Sequence, residues 1–445
     1  GGLVGTAEQT DIESQTFRAQ MGFPPQTPLI LTGHQATFWH PGILAKYFAA
    51  EAAARAFGGA VAWLVVDQDA QDFGAIEIPA LTEGGLLRRQ TVRLGPPPPI
   101  DAAAASCASF APQPGGAALG KPALGSIQSG IAAITERLRE RRGEATAARQ
   151  VGLAVADLIS DLVPRRPVFF ATDLQRTNLM QRLVERMRQA PLEMAEAYNA
   201  ALAAHPEARV AALQIDGDRV ELPLWRLRPG APRARVWSDD AALDTPDQLA
   251  PRALFMTGML RMAGCELFIH GRGGGLYDRI TDAWLGAWLD AKLAPTAVVS
   301  ADLALPLGGS GVSEQDVARA KWAAHRALHD PETVGDREAA AAKRAWLARI
   351  ADARASGADS SAPYRDMHRA LEQYRAQHEG SIQALRDAAA KAERELANEA
   401  IAGERAWAFP LHTRAALEAL RDQVFASFGV GTRGGCESAA VSRPA

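Results

Sequence analysis

The chain contains 445 residues, of which 47% are hydrophobic and 22% are charged, proportions typical of a folded protein with two or three structural units. A formal net charge of -3 gives no general attraction to nucleic acid or to an anionic membrane. The cysteines Cys107, Cys265 and Cys436 lie far apart, which argues against a disulfide scaffold or a structural zinc site. Because no secretory signal and no apolar run of about 20 residues is visible, we predict a cytoplasmic protein.

The first predicted elements form a strand–helix–strand unit. Pro28–Thr32 is a short apolar strand, Ile43–Arg55 has helical spacing, and Val61–Val66 is a second apolar strand. Apolar strands joined by a helix are typical of a parallel sheet covered on both faces. Ligands of such sheets bind beyond the carboxyl ends of the strands, where Gly33–His40 and Asp67–Asp72 follow.

The pattern continues as an α/β protein, for which we predict a Rossmann-like parallel-sheet core over residues 1–311 with helical and hairpin segments inserted at about 96–250. The remaining predicted elements of this core, in chain order, are a loop at Gly95–Gly125, helices at Ser126–Arg142 and Ala145–Leu162, a strand at Pro167–Ala171, a helix at Ala195–Ala204, a hairpin of Val210–Ile215 and Val220–Leu227, a strand at Glu266–Ile269, a helix at Tyr277–Leu293 and a strand at Thr296–Ser300.

Charged, alanine-rich helices follow at Val312–Leu328 and Arg337–Ala355, and Pro363 opens a longer helix to Ile401. The apolar stripe of that helix has heptad-like spacing with one extra four-residue step at His378. A narrow stripe predicts an antiparallel coiled-coil arm over residues 312–402, closed within one chain or between the chains of a homodimer. Residues 403–445 are expected to return to the core and end in a flexible tail.

A dense polar cluster lies between the first strand and the first helix. Glycine frees the backbone, and a helix N-terminus offers N–H groups to an anion. Around it we predict a binding site formed by Gly33, Gln35, His40 and Lys46, with His34 as a candidate general base. The alternative is a capped turn in which the imidazoles bond to neighbouring carbonyls.

Acidic residues end the second strand. Asp67 and Asp69 are candidate catalytic residues, because carboxylates at this position can hold a substrate amine, a ribose or a magnesium ion. The alternative is a solvated strand end.

A glycine-rich loop follows the Glu266–Ile269 strand and resembles a cradle for phosphate or carboxylate. It fails the dinucleotide fingerprint because Leu276 stands where glycine is needed, and no Gly-Lys-Ser/Thr makes it a P-loop. A plain tight turn is the alternative. The candidate catalytic residue here is His270, and the candidate binding residues are Gly271, Arg272, Gly273, Gly274, Tyr277 and Asp278.

With these motifs in place, the chain resembles the cysteine-adding ligase family of bacillithiol biosynthesis. His34 stands where that family has the first of two glutamines, and the acidic strand end also differs from the family's. The segments that carry the resemblance are Thr32–Gln35, Pro41–Gly42, Lys46, Trp63, Asp67–Asp72, Gly271–Tyr277 and the helical region Val312–Ile401.

The resemblance implies a Rossmann-like core related to nucleotidyltransferases and a homodimer formed through the coiled coil. It implies an enzyme that joins cysteine, or a similar amino acid, to the amine of an amino-sugar conjugate such as glucosaminyl-malate. The expected cofactor is ATP or another nucleotide with magnesium, and the expected partners are small molecules, with neither nucleic acid nor membrane. Two alternatives stay open: another nucleotide-dependent transferase on the same scaffold, and a non-catalytic coiled-coil binding protein.

Overall fold

A computed structural model describes residues 7–113 and 120–430 of the chain. The strands are β1 (Leu29–Gln35), β2 (Ala60–Val66), β3 (Ala75–Leu81), β4 (Leu87–Arg93), β5 (Lys121–Pro122), β6 (Val168–Phe170), β7 (Ile215–Asp216), β8 (Arg219–Arg226), β9 (Ala234–Trp237), β10 (Leu249–Pro251), β11 (Leu267–His270) and β12 (Thr296–Val298). The helices are α1 (Ala7–Gln20), α2 (Pro41–Phe57), α3 (Gly125–Glu140), α4 (Ala147–Ser160), α5 (Asn178–Gln189), α6 (Pro191–Ala203), α7 (Ala253–Met259), α8 (Gly274–Leu289), α9 (Glu314–Arg326), α10 (Arg337–Ala355), α11 (Ser361–Gln377), α12 (Glu379–Ala402) and α13 (Arg414–Ser427).

The central sheet has five strands in the order β12-β11-β1-β2-β6, and every neighbouring pair is parallel. Leu31 pairs with Ala62 on one side and with Phe268 on the other. The predicted α/β class, with a parallel sheet and a largely helical C-terminal region, is confirmed. From β1 the chain first builds outward through β2 and β6, then returns to add β11 and β12, so the topological switch point lies between β1 and β11.

The two faces of the sheet are covered by different helices because side chains alternate along each strand. Leu31 and Leu64 belong to a buried cluster with residues of α5 to α8, such as Trp284. On the opposite face, Trp63 packs edge-on against Tyr47 of α2, with ring centroids 5.5 Å apart. Burial on both faces explains why β2 and the first three residues of β1 are apolar.

Several predicted boundaries are wrong, and three of them concern the site or the inserted hairpin. The predicted loop at Gly33–His40 begins as strand, because Gly33 to Gln35 pair with Leu64 to Val66 of β2; cross-strand pairing overrides the turn preference of glycine. The α8 helix begins at Gly274 and therefore includes the end of the predicted glycine turn. The first arm of the predicted hairpin is reduced to Ile215–Asp216. The hairpin strands β3 and β4 and the short strands β9 and β10 are absent from the predicted elements.

The described residues divide into two compact units. The first comprises the residues up to Ile78, Gln90–Leu305 and those from Arg405 on. Within it the C-terminal segment packs on α2 and the loop before it: the rings of Phe409 and Trp39 lie 5.2 Å apart. The predicted flexible tail, at residues 431–445, lies outside the described residues. Across the described part of the chain, no helix is long and apolar enough to cross a membrane.

The second unit comprises Pro79–Arg89 and Pro306–Glu404. Its helices pack in pairs, α9 with α12 and α10 with α11. The predicted single helix from Pro363 to Ile401 is wrong, because α11 and α12 are separate and meet at His378. The His378 Nε2 lies 2.9 Å from Asp336 Oδ2, and the extra step in the heptad spacing occurs at this residue.

The central part of the apolar stripe of α11 and α12 is covered within this chain. It packs against Ala327 and Ile350, which come from the paired helices or their ends. The homodimer stays a prediction. The stripe residues that are buried in this cluster are Met367, Leu371, Tyr374 and Ile382.

We expect Tyr374→Phe to lower the free energy of unfolding of the helical unit by about 1 kcal/mol, the typical value of one hydrogen bond. The Tyr374 hydroxyl is buried and donates to the carbonyl of Ala327 at 2.7 Å. The matched control is Tyr364→Phe in the same helix, where the side chain is exposed and little change is expected. Urea unfolding followed by circular dichroism measures both, and equal stabilities of the two variants would contradict this packing.

Candidate functional site

The carboxyl ends of β1, β2, β6 and β11 meet at one edge of the sheet, so their terminal side chains share that edge. His34 and Gln35 come from β1, Asp67 directly follows β2, and His270 ends β11. The topology therefore brings residues from both predicted loops and from the acidic strand end to one side of the molecule. The contacts of each of these residues decide whether it can bind a ligand or has a structural role.

Lys46 is buried and turned toward the end of β1. Its Nζ donates to the carbonyl of Gly33 at 2.6 Å, and only 3% of the residue is exposed. Burial lowers the pKa of Lys46 to about 7. The Gly271 loop adjoins it, since a Cβ on Gly271 would lie 3.7 Å from the Lys46 Cδ. The predicted loops are thus neighbours, with Lys46 fastening α2 to β1 between them.

The two histidines of the first loop have different surroundings. His40 Nδ1 accepts from the Gly42 N–H at 3.1 Å and caps α2, as the capped-turn alternative proposes. The buried Nδ1 of His34 has no hydrogen-bond partner among the described residues. Burial, and then the charge of Lys46, hold the pKa of His34 well below its usual range, so this imidazole is neutral and a poor proton acceptor near pH 7.

His270 is enclosed by the helix that follows it. Its Nε2 lies 2.9 Å from Asp278 Oδ2, at ion-pair distance but without hydrogen-bond alignment. A Cβ on Gly274 would overlap the His270 ring, so glycine is needed for this close approach. The buried Arg261 lies 3.4 Å from the Asp278 carboxylate. These contacts explain His270 and Asp278 as parts of the packing between β11 and α8.

The remainder of the glycine loop is open. The Arg272 side chain is 64% exposed and lies 3.7 Å from Asp302, and Tyr277 is exposed. A Cβ on Gly273 would meet no atom within 4 Å. Of the predicted cradle, Arg272 and Gly273 are therefore the residues that a ligand can approach.

Asp67 is the most constrained carboxylate at this edge. Its Oδ1 accepts from the Thr172 N–H at 3.0 Å and its Oδ2 accepts from the Thr172 hydroxyl at 2.5 Å. The residue is 2% exposed, and burial raises its pKa to about 7 despite the two hydrogen bonds. Asp67 therefore exchanges a proton near neutral pH.

Asp69 has different partners from Asp67. It accepts from the Gln35 amide at 3.3 Å and lies 3.1 Å from Arg233, whose guanidinium stacks on Trp225. Within the described residues, no group of three or more histidine, cysteine or acidic side chains is arranged to hold a metal ion. Asp69 and Gln35 thus belong to a network that ties β1 to the segment after β2.

A cavity of about 680 Å³ lies beside Asp67. Apolar side chains form much of its wall. Among the described residues that line this cavity, Asp67 is the one that we predicted as a site residue. The other lining residues used below are Pro96 to Pro99, Phe73, Phe110, Thr146, Arg149, Thr172, Arg228 and Asp247.

Sequence reasoning missed most of this wall. Thr172 carries a weak signal, because it follows the β6 strand in the same way that Asp67 follows β2. Arg149 lies in the first turn of α4 and Arg228 in an irregular segment after β8. Neither arginine belongs to a motif, so only the fold reveals that they share a cavity.

No known protein family matches this chain, and no curated protein is significantly similar to it.

We expect Gly33→Ala to destabilise the protein by about 3 kcal/mol, the upper range for inserting a group into packed surroundings. Its Cβ would overlap the carbonyl oxygen of Leu64 in the neighbouring strand, and backbone cannot move aside as a flexible side chain does. Gly273→Ala is the control, because its Cβ meets open space and its φ is -68°. Thermal unfolding compares them; a Gly33→Ala protein as stable as Gly273→Ala would contradict the tight β1–β2 pairing.

Proposed function

We propose that the protein is a carbon–nitrogen ligase that joins cysteine, or a similar amino acid, to the amine of an amino-sugar conjugate such as glucosaminyl-malate. The observation that carries this proposal is Asp67, a carboxylate that titrates near neutrality in the wall of a 680 Å³ cavity. The reaction class rests on the resemblance of the loop motifs to the cysteine-adding ligase family. The five-stranded order around the switch point supports the Rossmann-like assignment that this family implies.

Amide formation needs a group that removes a proton from the amine. A substrate amine enters as an ammonium, and a base with a pKa near the working pH accepts its proton efficiently. In the proposed step, Asp67 takes that proton. The amine nitrogen then forms a bond to the activated acyl carbon, and the bond from that carbon to the leaving oxygen breaks. The second proton passes from the nitrogen to the departing oxygen as the amide forms.

Asp67 is better suited to this role than either predicted histidine. His34 is neutral but resists protonation, since burial and Lys46 lower its pKa. The two ring nitrogens of His270 face Asp278 and Gly274. We therefore assign the base to Asp67, and we assign His34 and His270 to positioning the ends of β1 and β11.

A nucleotide would activate the carboxyl group of the amino acid by placing a phosphoryl or nucleotidyl group on its oxygen, with ATP and magnesium as the expected pair. The open part of the glycine loop fits such a ligand, because Gly273 leaves room for close approach and Arg272 is exposed. Arg272 and the N-terminus of α8 would hold its phosphates. Lys46 is buried and donates to the carbonyl of Gly33, so its proposed contribution is to fix the shape of the neighbouring loop.

The finer features of the architecture belong to the same proposal. We propose that the helical unit is an antiparallel coiled-coil arm, on the basis of its helix pairs and apolar seam. A cytoplasmic location fits the proposed small-molecule substrates.

We expect Asp67→Asn to lower kcat for ligation of cysteine to glucosaminyl-malate by about 100-fold to 10,000-fold, the usual contribution of a general base. For the wild-type protein, kcat/KM should rise with pH to a plateau above about pH 7, as Asp67 loses its proton. The kcat/KM of the variant should not show this rise with pH, because asparagine does not titrate. Product formation with ATP and magnesium, measured by mass spectrometry from pH 5.5 to 8.5, gives both quantities.

The matched control is Asp239→Asn, an exposed carboxylate that pairs with Arg219 at the surface and should leave turnover and its pH dependence unchanged. Full activity of Asp67→Asn would remove Asp67 from the mechanism. If the wild-type protein makes no product but consumes a nucleotide with another amine, the alternative transferase is favoured. A macromolecule bound by the helical unit, with no affinity for these small molecules, would favour the binding protein.

A further inference from the structure

The cavity beside Asp67 carries charges of both signs. Asp67 and Asp247 contribute carboxylates, while Arg149 and Arg228 contribute guanidinium groups. Guanidinium groups recognise carboxylate and phosphate through paired hydrogen bonds. A site with both charges selects ligands that carry both complementary charges.

Arg149 is held rigidly at the wall. It lies in the first turn of α4, whose N-terminus is capped by the Thr146 side chain. Its Nη2 donates to Asp173 Oδ1 at 2.7 Å, and its guanidinium stacks 4.3 Å above the ring of Phe170. The start of a helix also favours negative charge, which adds to the hydrogen-bonding capacity that Arg149 keeps beyond its single bond to Asp173.

Arg228 differs from Arg149 in its exposure and in its contacts. Its side chain is exposed and makes no hydrogen bond or ion pair with any described residue. The segment that carries it is nevertheless fixed, because the Gly230 N–H donates to the carbonyl of Ser106 at 2.7 Å. A cationic group on an anchored segment, facing a cavity, is available to an anionic ligand.

The remaining wall is largely apolar. Pro96 to Pro99 form one part of it, and the stacked rings of Phe73 and Phe110, 6.0 Å apart, form another. Apolar walls suit the C–H faces of a sugar ring.

We propose that this cavity binds one small molecule that carries both an amine and an anionic group, with the amine at Asp67 and a carboxylate or phosphate at Arg149 and Arg228. The inference rests on the proposed function in placing the substrate amine at Asp67, and it adds the anionic arm as the feature that selects the substrate. Glucosamine alone lacks that arm.

Isothermal titration calorimetry at pH 7.5 tests this without turnover, using glucosamine, glucosamine 6-phosphate and glucosaminyl-malate as probes. The decisive variant is Arg228→Gln, because the side chain has no partner in the described structure whose loss would disturb folding. We expect its affinity for the anionic probes to fall about tenfold, equivalent to about 1.4 kcal/mol, with unchanged affinity for glucosamine. The control is Arg88→Gln, an exposed arginine outside the cavity lining, which should bind all probes as the wild type does.

If Arg228→Gln loses the same affinity for glucosamine as for the anionic probes, or loses none, the inference is overturned. It is also overturned if the wild type binds no anionic probe. Tighter wild-type binding of the phosphate or of the malate conjugate identifies the anion. Charge-selective binding that depends on Arg228, without any ligation product, would uphold the inference and reject the proposed ligase. Ligation whose kcat and KM are both unchanged by Arg228→Gln would reject the inference and support the proposed ligase.

Discussion

The contact between Asp67 and Thr172 joins the ends of two parallel strands and defines one wall of the cavity. Both carboxylate oxygens accept hydrogen bonds from the backbone and hydroxyl of Thr172, and the Asp67 carbonyl accepts from the Ala105 N–H at 2.9 Å. The segment before α3 is thereby fastened to the sheet. An acidic group is placed where water scarcely reaches it, and the chemistry that we propose depends on this placement.

That placement has a thermodynamic consequence. The pKa of Asp67 in the folded protein is about 7, above the value of about 4 for an aspartate in an unfolded chain. The folded state therefore holds the proton more tightly. The contribution of Asp67 to stability declines as pH rises from about 4 to about 7. A group that costs stability at the pH where it works is typical of a functional site.

The sheet order separates two regions along one edge. At the switch point, between β1 and β11, Lys46 ties α2 to β1 and His270 lies against Asp278 of α8. His40 caps the start of α2. Beyond β2 and β6, the cavity offers Asp67 and two arginines to a ligand. We propose that the open glycine loop at Arg272 serves the activating nucleotide, and that the cavity serves the amine substrate.

The sequence predicts the first strand–helix–strand unit and the parallel sheet, because continuous apolar strands and helical periodicity are local signals. It also directs attention to Asp67, since a carboxylate directly after a buried strand is visible without a structure. The surroundings of His34 are not predictable in this way, because its low pKa depends on Lys46 and on packing. Arg149 and Arg228 line one cavity only because the fold brings distant segments together. The break at His378 depends similarly on its contact with Asp336.

The most direct test of the account is a carbon-13 NMR titration of the aspartate carboxyl groups in the whole protein. Comparison with Asp67→Asn assigns the signal of Asp67. We predict a titration midpoint near pH 7 for this carboxyl. A midpoint near pH 4, the ordinary value for a solvated aspartate, would contradict the claim that Asp67 is a buried base in the wall of the cavity.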